Sequence, residues 1–453
     1  MTCGINILFL FALQLEGQEK AAPPRPTIER RLDALEEKDK ELQEQNRELR
    51  QRLESFEGKE AAQTSRPGTS DAQPKGGSPP GALQEEAEED ASSAEGLGSG
   101  LGLTAAGGRI RALFNLYCDV GFLFSNPPEA GHAHSSFGFG SIDIFGTGQL
   151  SERFQVLTET VLEGSGNEIG LDQERLWASW TLNDLLYAKL GLEHLPTSRW
   201  NRVYHHGKWL QLTIERPFLA RFEDDGGILA KHFVGVEAGG HVDGSLGRLE
   251  YIAIVSNGRG KVPEDRQTIF DQNDAKAFDA AIGFVPACLD RLRIGGAFRF
   301  DELPGDPAVP ARAHSIRELQ GNVNLEWKSE PMPAGQLEVL TEWILLSHQD
   351  RTAGRTFLHS SFYFQTGYRI AALNLTPYLR FDRKDMQRSD PFYEPEDRDL
   401  DQWEQLFGLR YDFTSNAAIK GEVGLGQAEQ RSQNGDIRQV TTISVRFQLS
   451  WVF

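Results

Sequence analysis

The end of the chain alternates strictly between apolar and polar side chains. Successive side chains of a β-strand point to opposite faces, so this alternation predicts a strand with one apolar and one mostly polar face. In the segment SVRFQLSWVF, residues 444–453, the apolar face is formed by Phe447, Leu449, Trp451 and Phe453. The opposite face carries Ser444, Arg446, Gln448 and Ser450.

The same alternation recurs along most of the chain after residue 109. Most of the segments exceed the roughly 9–11 residues that a tilted strand needs to cross a bilayer. We predict sixteen strands, near residues 112–124, 135–145, 153–163, 171–182, 185–194, 231–242, 247–256, 275–286, 291–301, 314–328, 336–347, 356–370, 373–384, 402–413, 417–428 and 437–453.

The predicted connections alternate between short turns and long loops. Short turns fall at residues 183–184 and 371–372 and around Asp243, Leu289 and Ser415, and the longest loop covers residues 195–230. This asymmetry is typical of outer-membrane barrels and fits a β-sandwich or a propeller less well. The sequence therefore predicts an all-β, antiparallel transmembrane barrel of about 16 strands over residues 109–453. A further hairpin at residues 208–222 would make the number 18.

Average composition gives the opposite impression. The mean hydropathy is −0.44 and the formal net charge is −19, values typical of a soluble acidic protein. In a barrel, however, lipid-facing and lumen-facing residues alternate, so no window is continuously apolar. The averages exclude only a protein with several membrane-spanning helices. The one long apolar run, residues 5–15, is too short to span a bilayer, and we predict a signal peptide over residues 1–17.

Residues 27–57 have a seven-residue leucine repeat that predicts a coiled coil of about four heptads. A lone charged helix is the alternative. Polar residues at two core positions would fix register, and the asparagine also suits a dimer. The predicted core is Leu32, Leu35, Asp39, Leu42, Asn46, Leu49 and Leu53. Residues 58–108 are rich in Gly, Ser, Pro, Ala and Glu, a composition that predicts a disordered low-complexity linker.

The barrel pattern with its terminal phenylalanine resembles the Gram-negative outer-membrane porins. The resemblance covers about residues 109–453, and residues 185–218 further resemble porins of the phosphate-selective type. It implies location in the outer membrane, a homotrimer, and recognition of the last strand by the barrel-assembly machinery. The coiled coil would then lie in the periplasm, where it would hold the chains together or contact a periplasmic partner such as peptidoglycan.

The resemblance also implies that the third long loop, residues 195–230, folds into the barrel and narrows the pore. A solvated outer loop is the alternative. Strand residues with a charge on the polar parity are expected to face the lumen, where they could select permeants or simply pair with neighbouring acids. The candidates for pore lining are Arg199, Arg202, Lys208, Arg216, Arg221, Asp224, Asp225, Arg291, Arg293, Arg299, Arg369, Arg380, Arg410 and Arg446. The lumen acids are expected to include Asp119, Asp143, Glu159, Glu163, Glu338 and Glu342.

The function that fits these features is a passive diffusion channel for small hydrophilic solutes or ions, without a cofactor, metal or nucleic acid. A structural tether with little conductance is one alternative, and a hydrolase embedded in the barrel is a second. No histidine lies in a GxSxG or HExxH setting, so no catalytic residue is predicted. The adjacent pair His205 and His206 would point in opposite directions on an extended segment, so we predict no metal site there.

Overall fold

The computed structural model describes residues 101–105, 110–127, 134–165, 168–205, 207–223, 225–264, 269–432 and 434–453. The predicted signal peptide, the coiled coil with its seven core residues, and most of the linker lie outside the described residues. They stay predictions.

The described residues form seventeen strands, one short α-helix and four 3₁₀ turns. The strands are β1 (Leu101–Ala105), β2 (Ile110–Asn126), β3 (Ser135–Ser151), β4 (Phe154–Ser165), β5 (Glu168–Asn183), β6 (Leu186–His194), β7 (His232–Gly244), β8 (Gly247–Ser256), β9 (Ala277–Pro286), β10 (Leu292–Leu303), β11 (Ile316–Lys328), β12 (Gly335–Asp350), β13 (Thr356–Ile370), β14 (Leu375–Asp385), β15 (Gln402–Thr414), β16 (Ala417–Arg431) and β17 (Ile437–Val452). The helix α1 is Arg199–Val203, and the 3₁₀ turns are Phe218–Ala220, Pro310–Arg312, Ala371–Leu373 and Glu394–Glu396.

Strands β2 to β17 close into one antiparallel barrel. Each strand pairs with the next, and β17 returns to β2, with Leu449 opposite Val120. The closure ends with two backbone hydrogen bonds between Leu116 and Phe453, of 3.3 and 3.0 Å. The predicted sixteen-stranded barrel is thereby confirmed. The alternative of eighteen strands is wrong, because residues 207–222 contain no strand.

Strand β1 corrects the predicted end of the linker. Residues 101–105 pair antiparallel with β2, so that Leu101 lies opposite Phe114 and Ala105 opposite Ile110. The physical reason is an open edge: β17 pairs with β2 only from Tyr117 onward, so the backbone of β2 before that point has free hydrogen-bonding positions. The low-complexity composition of this stretch therefore does not prevent it from forming a strand.

The barrel has an apolar outer face and a polar inner face. On β16, for example, Ile419 and Val423 point outward and are 46% and 51% exposed, whereas Lys420 and Glu422 point inward and are buried. The apolar parity of β17 is likewise on the outside, with Phe447 and Phe453 exposed. The outer face is therefore an exposed apolar surface, which in membrane barrels is covered by lipid. Among the described residues, no helix is long and apolar enough to cross a bilayer.

The connections differ between the two ends of the barrel. The turns at one end are short, as at residues 184–185, 245–246 and 415–416. The other end carries long loops, including residues 195–231, which we call loop L3, and residues 386–401, which we call loop L7. Loop L3 is the third connection at its end of the barrel, as predicted. Both ends of the barrel domain, at β2 and β17, lie at the short-turn end.

Candidate functional site

Loop L3 begins with helix α1, which is held against the inner wall by one glutamate of β12. Ser198 is the N-cap and accepts a hydrogen bond from the Asn201 backbone. The carboxylate of Glu342 accepts hydrogen bonds from the backbone N–H groups of Arg199 (2.8 Å) and Trp200 (2.7 Å). A buried carboxylate at the start of a helix satisfies N–H groups that have no partner within the helix. The start of loop L3 is therefore fixed inside the barrel.

The arginines of α1 reach two different parts of the wall. Arg199 Nε lies 3.1 Å from the carboxylate of Glu326 on β11. Arg202 donates two hydrogen bonds of 3.0 Å to the carboxylate of Glu237 on β7. Because β7 and β11 are four strands apart in the sixteen-stranded barrel, α1 bridges parts of the inner wall that are a quarter of the circumference apart. Bidentate arginine pairs of this kind fix orientation as well as position.

The middle of loop L3 is held by charged residues of β14 and β16. Arg380 donates to Thr213 Oγ1 (2.8 Å) and to the backbone oxygens of Glu215 and Arg216. Lys420 Nζ donates to the backbone oxygen of Lys208 (2.5 Å). Backbone groups without secondary structure must find partners when they are buried, and here the wall supplies them.

Three further contacts attach loop L3 to the wall. The Ile214 N–H donates to Glu422 on β16 (2.6 Å), and the Gly207 N–H donates to Asp143 on β3 (2.7 Å). Arg410 on β15 donates to the backbone oxygen of Trp209 (2.7 Å). Loop L3 is thus tied to the wall on several sides, which does not fit a loop solvated outside the barrel.

An apolar cluster lies inside the barrel beside these polar contacts. It joins loops L3 and L7 to the inner face of β10 to β13. Its buried members include Trp200, Leu219, Ile228, Leu303, Ile344, Tyr363, Phe392 and Tyr393. The interior of a barrel is usually polar, so an apolar cluster there stabilises folded loops rather than a water-filled space.

The predicted pore-lining residues fall into three groups. Arg199, Arg202, Lys208, Arg216, Arg221 and Asp225 belong to loop L3, and Asp224 lies outside the described residues. Arg293, Arg299, Arg380, Arg410 and Arg446 point into the barrel from the wall. Arg291 and Arg369 are exposed at the short-turn end; Arg291 pairs there with Glu330 at 3.2 Å.

Most wall arginines pair with acids. Arg299 contacts Asp279 (2.9 Å), Asp301 (2.6 Å) and Glu318 (3.2 Å) in a wholly buried network. Arg446 lies between Glu404 of β15 (3.3 Å) and Glu215 of loop L3 (3.4 Å). The network around Arg299 stiffens the wall, whereas Arg446 holds loop L3 to the wall.

Several wall residues that hold the loop were not predicted. Lys420, Glu422 and Glu237 are not among the candidates, although each is a charged residue on the inward parity of a strand. In the stretch AIKGEVGLG, residues 418–426, the apolar parity surrounds both Lys420 and Glu422. That setting is the signal that could have identified them.

A small open cavity of about 90 Å³ remains between loop L3 and the wall formed by β6 to β11. It lies toward the short-turn end, because Arg248 and Arg293 are near the turns that precede β8 and β10. Its polar lining is dominated by cations: Arg199, Arg202, Arg248 and Arg293, with Glu250, Tyr187 and Asn324 between them. Arg293 Nε lies 3.0 Å from the carboxylate of Glu250.

Lys231, the last residue of loop L3, is wholly buried and donates from Nζ to the backbone oxygen of Leu219 (2.7 Å). Burial, with the nearby cations Arg216 and Arg259, lowers the pKa of Lys231 to about 7 despite the attraction of Glu223. In the unfolded chain the pKa of a lysine is about 10.4. Between these two values the unfolded state binds more protons, so this lysine makes the folded barrel more stable as the pH rises.

We therefore expect the pH dependence of stability to change in the variant Lys231→Met. The refolded protein should gain stability between about pH 7 and pH 10, and the variant should gain less. The measurement is the urea midpoint of unfolding in detergent at a series of pH values. Identical pH profiles for the two proteins would contradict the lowered pKa.

Comparisons with known proteins agree on the fold. No protein-family model matches the sequence, and no curated protein matches it. Among solved structures, the chain is similar to an anion-selective porin from Comamonas acidovorans, with a TM-score of 0.53 and 11% sequence identity over 76% of this chain and 100% of that one. The chain has the fold of an outer-membrane porin.

Two further solved structures show the same similarity. The outer-membrane channel DcaP of Acinetobacter baumannii gives a TM-score of 0.53 at 10% identity, covering 78% of this chain and 99% of that one. OmpF of Salmonella typhi, in a complex with daunomycin, gives 0.51 at 9% identity, covering 78% and 100%. At these identities the similarity concerns the fold, which agrees with the resemblance found in the sequence.

Proposed function

We propose that this protein is an outer-membrane porin, a passive diffusion channel for small hydrophilic solutes or ions. The observation that carries the proposal is the position of loop L3, which crosses the lumen and is bound to the inner wall through Glu342, Arg380 and Lys420. A loop fixed inside a closed barrel limits the size of a solute without blocking the whole cross-section. The exposed apolar belt supports a location in the outer membrane.

The cavity beside loop L3 supports a preference for small anions. Four arginines face it against the single carboxylate of Glu250. Each of these arginines has an acid partner: Arg199 pairs with Glu326, Arg202 with Glu237, Arg248 with Asp243 and Arg293 with Glu250. Of these four acids, only Glu250 lines the cavity. The cavity surface therefore presents guanidinium groups while most of their acid partners lie behind it, and charged groups on a pore surface select permeants by the sign of their charge.

The test is conductance of the refolded protein in a planar bilayer with a salt gradient across it. We expect stepwise openings and a reversal potential whose sign shows that anions carry most of the current. In the variant Arg293→Gln the reversal potential should shift toward zero. The matched control is Arg291→Gln, which removes the same charge two residues away, in the exposed turn. Its reversal potential should equal that of the unchanged protein.

Two results would contradict parts of this proposal. Absence of openings from a folded, heat-modifiable barrel would contradict the channel and favour a structural tether. The apolar cluster between loops L3 and L7 would then explain why the lumen is closed. An equal shift in both arginine variants would contradict the anion-selective cavity, because the effect would then come from the charge of the whole surface.

The N-terminal segments extend the proposal. With the coiled coil at residues 27–57 and the linker at residues 58–108, we propose that three barrels are held together in the periplasm, or that the coil contacts a periplasmic partner such as peptidoglycan. Strand β17, with Phe447, Leu449, Trp451 and Phe453, is proposed as the segment that the barrel-assembly machinery recognises. Chemical cross-linking of the full chain and of a chain lacking residues 27–57 would test the first part, since only the full chain should give trimers if the coil holds them.

A further inference from the structure

Three histidines and a glutamate from four segments of the chain meet where loop L3 joins the barrel. His194 ends β6 and His232 begins β7, and the two lie opposite each other in the strand register. His205 follows α1 within loop L3, and Glu174 belongs to β5. All four side chains are buried.

The four side chains are close enough to share one ion. His232 Nε2 lies 2.7 Å and His205 Nε2 lies 3.5 Å from the same oxygen, Glu174 Oε2. The ring centroids of His194 and His205 are 3.9 Å apart. One nitrogen or oxygen from each of the four residues lies within 4.8 Å of the others. Ligands about 2.0–2.2 Å from a zinc ion are roughly 3.4 Å from one another, so a small contraction would complete the site.

A β-bulge directs Glu174 to this place. The pairing of β4 with β5 shifts register there: Glu159 lies opposite Arg175 and Thr160 opposite Gln173, which leaves Glu174 as the extra residue. Bulges redirect a single side chain and are frequent beside functional sites. Without the bulge, Glu174 would be one more residue in the regular alternation of β5.

The hydrogen bonds of Asn201 indicate which ring nitrogen of His205 carries the proton, and they leave Nε2 unprotonated in the neutral ring, as a metal ligand must be. The Asn201 amide nitrogen donates to the backbone oxygens of Leu195 (3.0 Å) and Lys231 (2.7 Å), so its side-chain oxygen is an acceptor. His205 Nδ1 lies 2.7 Å from that oxygen and therefore carries the proton. In the neutral imidazole the lone pair is then on Nε2, which faces the Glu174 carboxylate. A lone pair and a carboxylate at that distance repel each other unless a proton or a metal ion lies between them.

A second histidine cluster provides a contrast. His348 Nδ1 and His359 Nε2 lie 2.8 and 2.6 Å from the same oxygen of Asp390, and His348 Nε2 lies 3.1 Å from Glu318. There all three contacts have the geometry of hydrogen bonds, in a network that holds loop L7 to the wall. A metal would have to replace those bonds.

We propose that Glu174, His194, His205 and His232 bind one divalent transition-metal ion of the Zn²⁺ class. Three imidazoles and one carboxylate are ligands that zinc prefers in tetrahedral sites. Since the ligands come from both ends of loop L3, from its interior and from β5, the ion cross-links the loop that narrows the barrel. Metal binding therefore stabilises the position of loop L3.

The test uses the refolded full chain without a polyhistidine tag, stripped with chelator and then exposed to Zn²⁺ during and after refolding. We expect about one Zn²⁺ per chain after desalting, measured by elemental analysis, and at least a tenfold weaker affinity for His205→Gln and His232→Gln. Co²⁺ in place of Zn²⁺ should give the visible absorption of a four-coordinate site. The control His314→Gln, which changes an exposed histidine paired with Asp350, should bind as the unchanged protein does.

Two results would overturn the site. One is a folded, heat-modifiable barrel that retains no Zn²⁺ after desalting. The other is Zn²⁺ binding that His205→Gln, His232→Gln and Glu174→Gln all leave unchanged, because the ion would then be held elsewhere. Where a histidine variant does not refold, Glu174→Gln alone decides, since it keeps the size of the side chain. Metal content is measured on the folded barrel, so the result does not depend on whether the channel conducts.

Discussion

Replacing Glu342 with glutamine should increase the single-channel conductance and the frequency of brief openings and closings. The carboxylate of Glu342 accepts hydrogen bonds from the Arg199 and Trp200 backbone and from the side chains of Ser198 (3.3 Å), Tyr363 (2.9 Å) and Asn322 (3.1 Å). A glutamine has one acceptor oxygen instead of two and no charge, so several of these donors lose their partner.

The expected size of the conductance change follows from the burial of the Glu342 carboxylate. Leaving a buried hydrogen-bonding group without its partner costs about 1–3 kcal/mol, and more where a charged group is involved. Since each 1.4 kcal/mol is a factor of ten, a loss of about 3 kcal/mol raises the population of a displaced loop by about a hundredfold. That is enough to turn rare excursions of loop L3 into visible current fluctuations.

Glu338→Gln is the matched control for this prediction. Glu338 has the same inward parity on β12, and the substitution removes the same charge. The structure shows no hydrogen bond between the Glu338 side chain and the described residues of loop L3; its charged neighbours are Lys328, Arg410, Glu326 and Asp412. The control should conduct as the unchanged protein does. Equal traces for all three proteins, or equal changes in both variants, would show that Glu342 does not hold the loop.

The strands could be predicted because their signal is local. An alternation of period two is visible in any ten residues, and lipid outside with polar groups inside keeps it regular along almost every strand. The end of the linker was misjudged because composition says nothing about a free strand edge elsewhere in the chain. The pairing of residues 101–105 with β2 depends on how far β17 covers that edge.

The partners of loop L3 could not be predicted in the same way. Arg380 and Thr213 are 167 positions apart, and Lys420 and Lys208 are 212 positions apart. Which wall residue meets which part of the loop depends on the register of every strand between them. The sequence indicated that the charged residues would lie inside, but not which of them hold the loop and which line open space.

The histidine cluster was missed for a different reason. By strict alternation His194 and His232 belong to the face opposite to Lys189 and Glu237, yet all four residues are buried. The alternation stops being informative near the ends of strands and at the bulge of Glu174. The sequence prediction considered only the adjacent pair at residues 205–206, and His206 lies outside the described residues. The partners of His205 come instead from the two strands that loop L3 connects.

Placing an arginine in the apolar belt should prevent the barrel from forming stably in a membrane. Val423 lies in the middle of β16, is 51% exposed, and has Phe407 and Val445 as its neighbours on the adjacent strands. An arginine at the bilayer midplane destabilises a barrel by about 2–4 kcal/mol. We expect Val423→Arg to lower the yield of heat-modifiable barrel on refolding into lipid vesicles and to lower its denaturant midpoint.

Leu246→Arg is the control. It separates the cost of placing an arginine in lipid from any effect of introducing an arginine on the surface. Leu246 is even more exposed, at 81%, but it lies in the short turn between β7 and β8 rather than in the belt. If water surrounded the outer face, an arginine would be tolerated at both positions, because both side chains are exposed. If lipid surrounds it, only Val423→Arg fails, and the difference between the two variants should shrink in short-chain detergent, where the charged group can reach water. Equal tolerance of both substitutions in vesicles would contradict a membrane-spanning barrel and, with it, every function proposed for the lumen.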